Sequence, residues 1–145
     1  MKVYVIGSLR NPAVPDLAEL LRLQGYEVFD DWFAAGPEAD DYWQRYEVNR
    51  GHSFTEALDG NAAWHVFNYD KNHLDTSDAV VLQLPAGKSG HLEFGWAIGR
   101  GKPGFILLDK EPERFDVMYR FATQVCNNYE ELIDALRQEE RDGAL

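Results

Sequence analysis

The sequence predicts one doubly wound α/β domain, and three observations carry that reading. The chain has 145 residues, the size of a single domain with a substantial core. Its apolar runs are short and continuous, as in parallel strands buried on both faces. Segments of helical period separate them, and strands alternating with helices wind a parallel sheet with helices on both faces. A five-stranded sheet of the flavodoxin-like or Rossmann-like kind is expected, spanning residues 1 to 145.

The elements follow in order. "KVYVIGS" is a buried strand ending in Gly-Ser. "VPDLAELLRLQGY" places Leu17, Leu20, Leu21 and Leu23 on a helical stripe, with Gly25 as the C-terminal stop. "YEVFDDW" is a second strand running into an acidic loop. Residues 36 to 60 are polar and aromatic, with "DDYWQRYEVNRG" helical. The helix of "EALDGNAAWHVFNYDKNHLDTSD" carries a potential break at Gly60. "AVVLQLP" and "PGFILLD" are strands, residues 111 to 122 are ambiguous, and "TQVCN" is a short last strand. "NNYEELIDALRQEE" is a helix with Asn128 as N-cap and Glu131 three residues later. The tail "RDGAL" is expected to fray.

Charge narrows the partners. Asp plus Glu number 25 against 14 Lys plus Arg, a formal charge of −11. Binders of nucleic-acid polymers neutralise phosphates with a basic face, so that class is disfavoured. A small anionic ligand is not, because one arginine and a few backbone N–H groups hold it locally. Cys126 is the single cysteine, which excludes an intramolecular disulfide. "VYVIG" is too short for a signal-peptide core and no segment approaches membrane-spanning length, so a soluble cytoplasmic protein is expected.

In doubly wound sheets ligands bind beyond the carboxyl ends of the strands, at the switch point. Three segments then face one crevice. "GSLRNP" offers Gly7, Ser8 and Arg10 ahead of a helix N-terminus, which suits either a phosphate or a tight turn with a surface arginine. "GKSGHLEFG" contains Lys88, Ser89, Gly90, His91 and Glu93. With Ser89 as N-cap, Glu93 falls near the end of the first turn, where the helix dipole favours an ionised carboxylate. That carboxylate is a candidate nucleophile or general base, or a first-turn acid placed for dipole reasons alone. In "NYDKNHLDTSD", Asp70 can reach the crevice, Asp75 reads as a solvated helix-end residue, and Asp78 as a cap or turn residue. Asp31 and Trp32 in "DDW" join an acceptor to a stacking surface, the pair a nucleobase needs. "DDYW" repeats the pattern or is a solvated acidic loop, and Trp32, Trp43, Tyr46 and His65 are the candidates for a base pocket. His52, His65, His73 and His91 have no metal-ligand spacing, so no metal or other cofactor is expected.

Together these segments resemble the nucleoside 2-deoxyribosyltransferase family and the related 2′-deoxynucleoside 5′-monophosphate N-glycosidases. "VYVIGSLR" is similar to the family's opening strand and Gly-Ser-x-Arg loop, "YDKNHLDTSDAVV" to its paired aspartates, and "GHLEFGWAIGRGKP" to its nucleophile segment. The resemblance implies a retaining displacement at C1′ of a deoxyribosyl group. Glu93 matches the nucleophile, Tyr4 the tyrosine that orients it, and Asp70 the acid near the sugar and leaving base. Water as acceptor gives hydrolysis, and a second base gives transfer. A homodimer or larger homo-oligomer, with a neighbour completing the pocket, is also implied.

One position departs from the pattern. Six residues before the nucleophile the transferases carry an Asp for the sugar 5′-hydroxyl, and the 5′-monophosphate hydrolases a Ser. Here that position is Gly87. Loss of the carboxylate removes repulsion against a phosphate dianion, so a nucleotide substrate is favoured, with Arg10, Ser8, Lys88 and Ser89 as donors. Two other classes share the architecture: an inactive nucleotide-binding module, and a receiver-type phosphoacceptor. The latter needs acids where this chain has Gly7 and Ser8.

Overall fold

The computed structural model describes residues 1–143. Five strands, β1 (Lys2–Ile6), β2 (Glu27–Phe29), β3 (Ala79–Gln83), β4 (Gly104–Leu107) and β5 (Gln124–Cys126), form one sheet in the order β2-β1-β3-β4-β5. Every pairing is parallel, with Tyr4 beside Phe29 on one side and Val80 on the other. The helices are α1 (Ala13–Leu23), α2 (Ala39–Asn49), α3 (Phe54–Leu58), α4 (Asn61–Thr76), α5 (Lys88–Gly99) and α6 (Tyr129–Gly143).

Alternation along β1 builds two cores. Val3 and Val5 face α1 and α6, packing with Val14, Leu17, Leu21, Leu132 and Leu136. Tyr4 and Ile6 face the opposite layer, with Leu74 of α4 and Phe94 and Ala97 of α5. The five residues of β3 are all buried, which is why its sequence shows no polar alternation.

Local signals are mostly obeyed. Gly25, at φ +94°, ends α1. Asn128 accepts from Glu131 N–H at 2.9 Å, while the Glu131 carboxylate accepts from the Asn127 N–H. The break at Gly60 is real, with Gly60 capping α4 after the short α3. Three details are sharpened. β2 stops at Phe29, and the acidic segment after it, expected as a loop, forms a 3-10 helix at Asp31–Ala35. The ambiguous segment contains a second 3-10 helix, Val117–Phe121. The tail does not fray from Arg141: α6 continues to Gly143, and Ala144 and Leu145 lie outside the described residues.

The order in which strands are added reverses between β1 and β3, so the loops after them diverge and open a crevice. Two contacts set its floor. A Cβ on Gly7 would lie 2.6 Å from Val14 Cγ2, so only glycine lets the turn after β1 sit this close to α1. Asn11 donates to Pro85 O at 3.3 Å, tying that turn to the end of β3.

Candidate active site

A cavity of about 700 Å³ opens at this crevice. The turn after β1 supplies Gly7, Ser8 and Arg10, the 3-10 turn supplies Asp31 and Trp32, and the start of α5 supplies Lys88, Ser89, Gly90 and Glu93. Asp70 enters from α4. Tyr4 lies beneath, 1% exposed, with its ring 5.0 Å from that of Phe29. Its hydroxyl donates to Glu93 Oε2 at 2.8 Å across 89 residues of sequence.

The electrostatics of Glu93 differ from the expectation. Gly87, not Ser89, is the N-cap of α5, so Glu93 falls in the second turn, where the dipole is spent. Burial dominates instead and raises its pKa to about 7, helped by the nearby charge of Asp70 and opposed by the Tyr4 hydrogen bond. Burial likewise lifts Asp70 to about 6. Tyr4 is pushed far up, first by burial and then by the Glu93 and Asp70 carboxylates, so it stays a donor. Burial thus brings both carboxylates toward neutrality, the range in which a group serves as base or nucleophile without being locked in one form.

Removing the hydroxyl in Tyr4→Phe deletes the interaction that lowers the Glu93 pKa. In any reaction that needs the Glu93 carboxylate ionised, the acid limb of the pH–rate profile should move up by about one unit, with a loss on the order of tenfold at pH 6. Profiles of kcat/KM for wild type and variant check this. Coincident limbs would show that the contact orients nothing of consequence.

The ligand side of the cavity is rich in donors. α5 begins at Lys88, leaving its first N–H groups without helical partners beside Arg10. The Arg10 side chain is 69% exposed, and among the described residues its guanidinium pairs with Asp41 alone, at 3.5 Å, so it is available to an anion. A Cβ on Gly87 would meet nothing within 4 Å, so the missing side chain is not enforced by packing. Trp32 donates its indole N–H to Val5 O at 2.9 Å, capping a β1 carbonyl beyond the end of β2 and fixing its ring as a cavity wall.

Other candidates are placed elsewhere. His91 does not line the cavity; it contacts Gly87 O through Nδ1 at 2.8 Å and Tyr119 OH through Nε2 at 2.9 Å. Trp43 and Tyr46 are also outside it, and Trp43 lines a smaller cavity of about 290 Å³ with Glu47 and His52. Asp78 pairs with the Lys2 backbone, accepting from Lys2 N at 2.7 Å. Asp75 is no simple solvated end: it accepts from Lys71 at 2.6 Å and from the Trp96 indole at 2.9 Å, joining α4 to α5. His65 and Asp40 do line the cavity, joined by Tyr69 and Val66, which the sequence did not single out. Val66 and Tyr69 stand four and one residues before Asp70, a stripe that helical spacing from Asp70 would have revealed. Among the described residues no group of three or more His, Cys, Asp or Glu is placed to hold a metal ion, and no helix is long and apolar enough to cross a membrane.

Two solved structures share the fold. One is the CMP N-glycosidase of Clostridium botulinum, at TM-score 0.56 and 17% identity over 94% of this chain and 99% of that one. The other is the 2-deoxyribosyltransferase of the psychrotolerant bacterium Bacillus psychrosaccharolyticus, at TM-score 0.61 and 15% identity over 91% of this chain and 90% of that one. No protein-family model and no curated protein matches the sequence. At such identities the likeness establishes the fold, and function has to be argued from the site.

Proposed function

We propose that this protein cleaves or transfers the N-glycosidic bond of 2′-deoxynucleosides or their 5′-monophosphates through a covalent deoxyribosyl-Glu93 intermediate. The observation that carries the reading is the Tyr4 hydroxyl held 2.8 Å from Glu93 Oε2 at the foot of a cavity that also contains Asp70. The carboxylate attacks C1′ as the base departs through an oxocarbenium-like transition state, and water or a second base then displaces it with net retention. Tyr4 orients the nucleophile and steadies its charge. Glu93 lies close enough to Asp70 to feel its charge, which fits Asp70 as the acid near the sugar and leaving base. The two fold relatives, one named for splitting a nucleotide and the other for transferring deoxyribosyl groups, agree with this chemistry.

The 5′ end of the substrate faces the turn after β1 and the start of α5. Arg10, Ser8, Lys88, Ser89 and the free N–H groups of α5 form an anion site there, which favours a 5′-monophosphate. Asp31 and Trp32 offer an acceptor and a ring to the base. A homodimer or larger homo-oligomer would cover exposed apolar side chains such as Leu92, Phe115, Val117, Met118 and Phe121. A cytoplasmic enzyme fits the single, buried cysteine.

A panel of deoxynucleosides and deoxynucleotides, followed for free base by chromatography, tests the activity. Quenching wild type early in turnover should add the mass of one deoxyribosyl or phosphodeoxyribosyl group to the peptide containing Glu93. Ligand binding with no base release from any member would leave the fold as a nucleotide-binding module instead.

A further inference from the structure

Arg10 and Asp41 both line the cavity, and their side chains meet across it from two separate parts of the chain. Asp41 stands in the first turn of α2. Among the described residues its bond to Arg10 is the single side-chain hydrogen bond or ion pair that links α2 to the rest of the molecule. The others stay within residues 38 to 52: Tyr42 with Glu38, Arg50 with Tyr46, and Glu47 with His52. The pair is also loose. Its 3.5 Å separation exceeds the roughly 2.7–2.9 Å of a charge-assisted hydrogen bond. Arg22–Asp30 and Lys71–Asp75 each close to 2.6 Å. Both partners are more than half exposed, the setting in which ion pairs are weakest. Beside them Ser8 Oγ accepts from the Arg10 backbone N–H at 3.1 Å, which leaves the hydroxyl proton free to donate.

We infer that Asp41 holds the place of the substrate's 5′-phosphate on Arg10, and that the phosphate binds by displacing it. The inference rests on the proposed nucleotide site and makes Asp41 a residue that sets the balance between nucleotide and nucleoside. A phosphate carries nearly twice the charge of a carboxylate and has a further oxygen for the Ser8 hydroxyl, so it wins the guanidinium fork. The other bonds of α2 are local, so the pair can part without disturbing them. Displacement leaves the Asp41 carboxylate without its cation, which offsets part of the gain. A nucleoside brings no anion, and the Arg10–Asp41 pair persists when it binds. Asp41 therefore weakens phosphate binding and leaves the sugar and base contacts alone.

Calorimetric titration with 2-deoxyribose 5-phosphate isolates this contact from the chemistry. Asp41→Asn is expected to tighten binding about fivefold, the size of one exposed ion pair. Arg10→Gln should weaken it by about 30-fold, as loss of a charged hydrogen-bond donor does. In the Arg10→Gln protein, adding Asp41→Asn should change binding by less than about 1.5-fold, because the pair is already gone. With substrates, Asp41→Asn should raise kcat/KM for a nucleotide relative to its nucleoside by about fivefold, through KM and not kcat. No tightening in Asp41→Asn, or no binding of the sugar phosphate at all, overturns the inference. So does equal tightening with and without Arg10, which would make Asp41 a repelling charge and not an occupant of the guanidinium. If the binding results hold while no deoxynucleoside or deoxynucleotide releases its base, the displacement stands and glycosyl transfer at Glu93 falls.

Discussion

Glu93→Gln is expected to abolish base release while raising Tm at pH 8, a pairing that separates a nucleophile from a structural acid. The chemical half follows from the proposed ester, since a carboxamide cannot attack C1′ and a loss of four or more orders of magnitude is expected. The stability half follows from burial. Native Glu93 has a pKa of about 7 against about 4.5 for an exposed glutamate, so between those values the folded state holds the extra proton. The stability this group contributes is complete below about pH 4.5 and lost as pH rises through 7. At pH 8 wild type buries an ionised carboxylate at a cost on the order of 2 kcal/mol, which glutamine avoids while still accepting from Tyr4. For a domain of this size that is roughly 4–8 °C in Tm, and it should vanish at pH 4. Thermal melts at both pH values, beside the activity assay, check the pair. A variant less stable at pH 8 would show that the charge is compensated in the folded state.

The second large effect is at Gly87. Gly87→Asp should depress kcat/KM for a 5′-monophosphate by about 100-fold relative to the matching nucleoside. Space is available, because the new Cβ has no neighbour within 4 Å and the position lines the cavity. A carboxylate about 5 Å from a phosphate costs roughly 3 kcal/mol per unit charge at an effective dielectric constant of 20, less at the open rim. It can still accept from a sugar 5′-hydroxyl. The position is also the N-cap of α5, where Asp is at least as good as Gly, so folding is preserved. Competition between nucleotide and nucleoside in one reaction, for wild type and variant, measures the switch directly. An unchanged ratio would place the 5′ end away from α5.

Most of the framework is legible in the sequence because burial on both faces leaves a plain mark. "AVVLQ" and "GFIL" are fully buried strands, and their continuous apolar composition says so. The segment after β2 reads only as an acidic loop because Asp30 and Asp31 lead it; that it turns as a 3-10 helix and brings the Trp32 indole to Val5 O is set by packing. The cap of α5 was misplaced because Ser89 is the better capping residue, yet the chain enters the helix at Gly87. At the site, chemistry with a local motif was readable, as at Glu93 and the turn holding Arg10. Contacts set only by packing were not. His91 lies two residues from Glu93 but turns toward Tyr119. Tyr69 looks like one more surface aromatic on α4 until the sheet places it beside the cavity.

The excursion from the end of the 3-10 turn to α4 has a consequence for how such a protein changes over time. α2 and α3 bury only Glu47 and Ala57, and Glu47 is satisfied inside the excursion by His52 at 2.8 Å. Neither helix contributes to either face of the sheet. Yet Asp40 and Asp41 at the start of α2 form part of the cavity rim. Lineages can therefore shorten, lengthen or rewrite this stretch and meet new substrates without reopening the problem of folding the sheet.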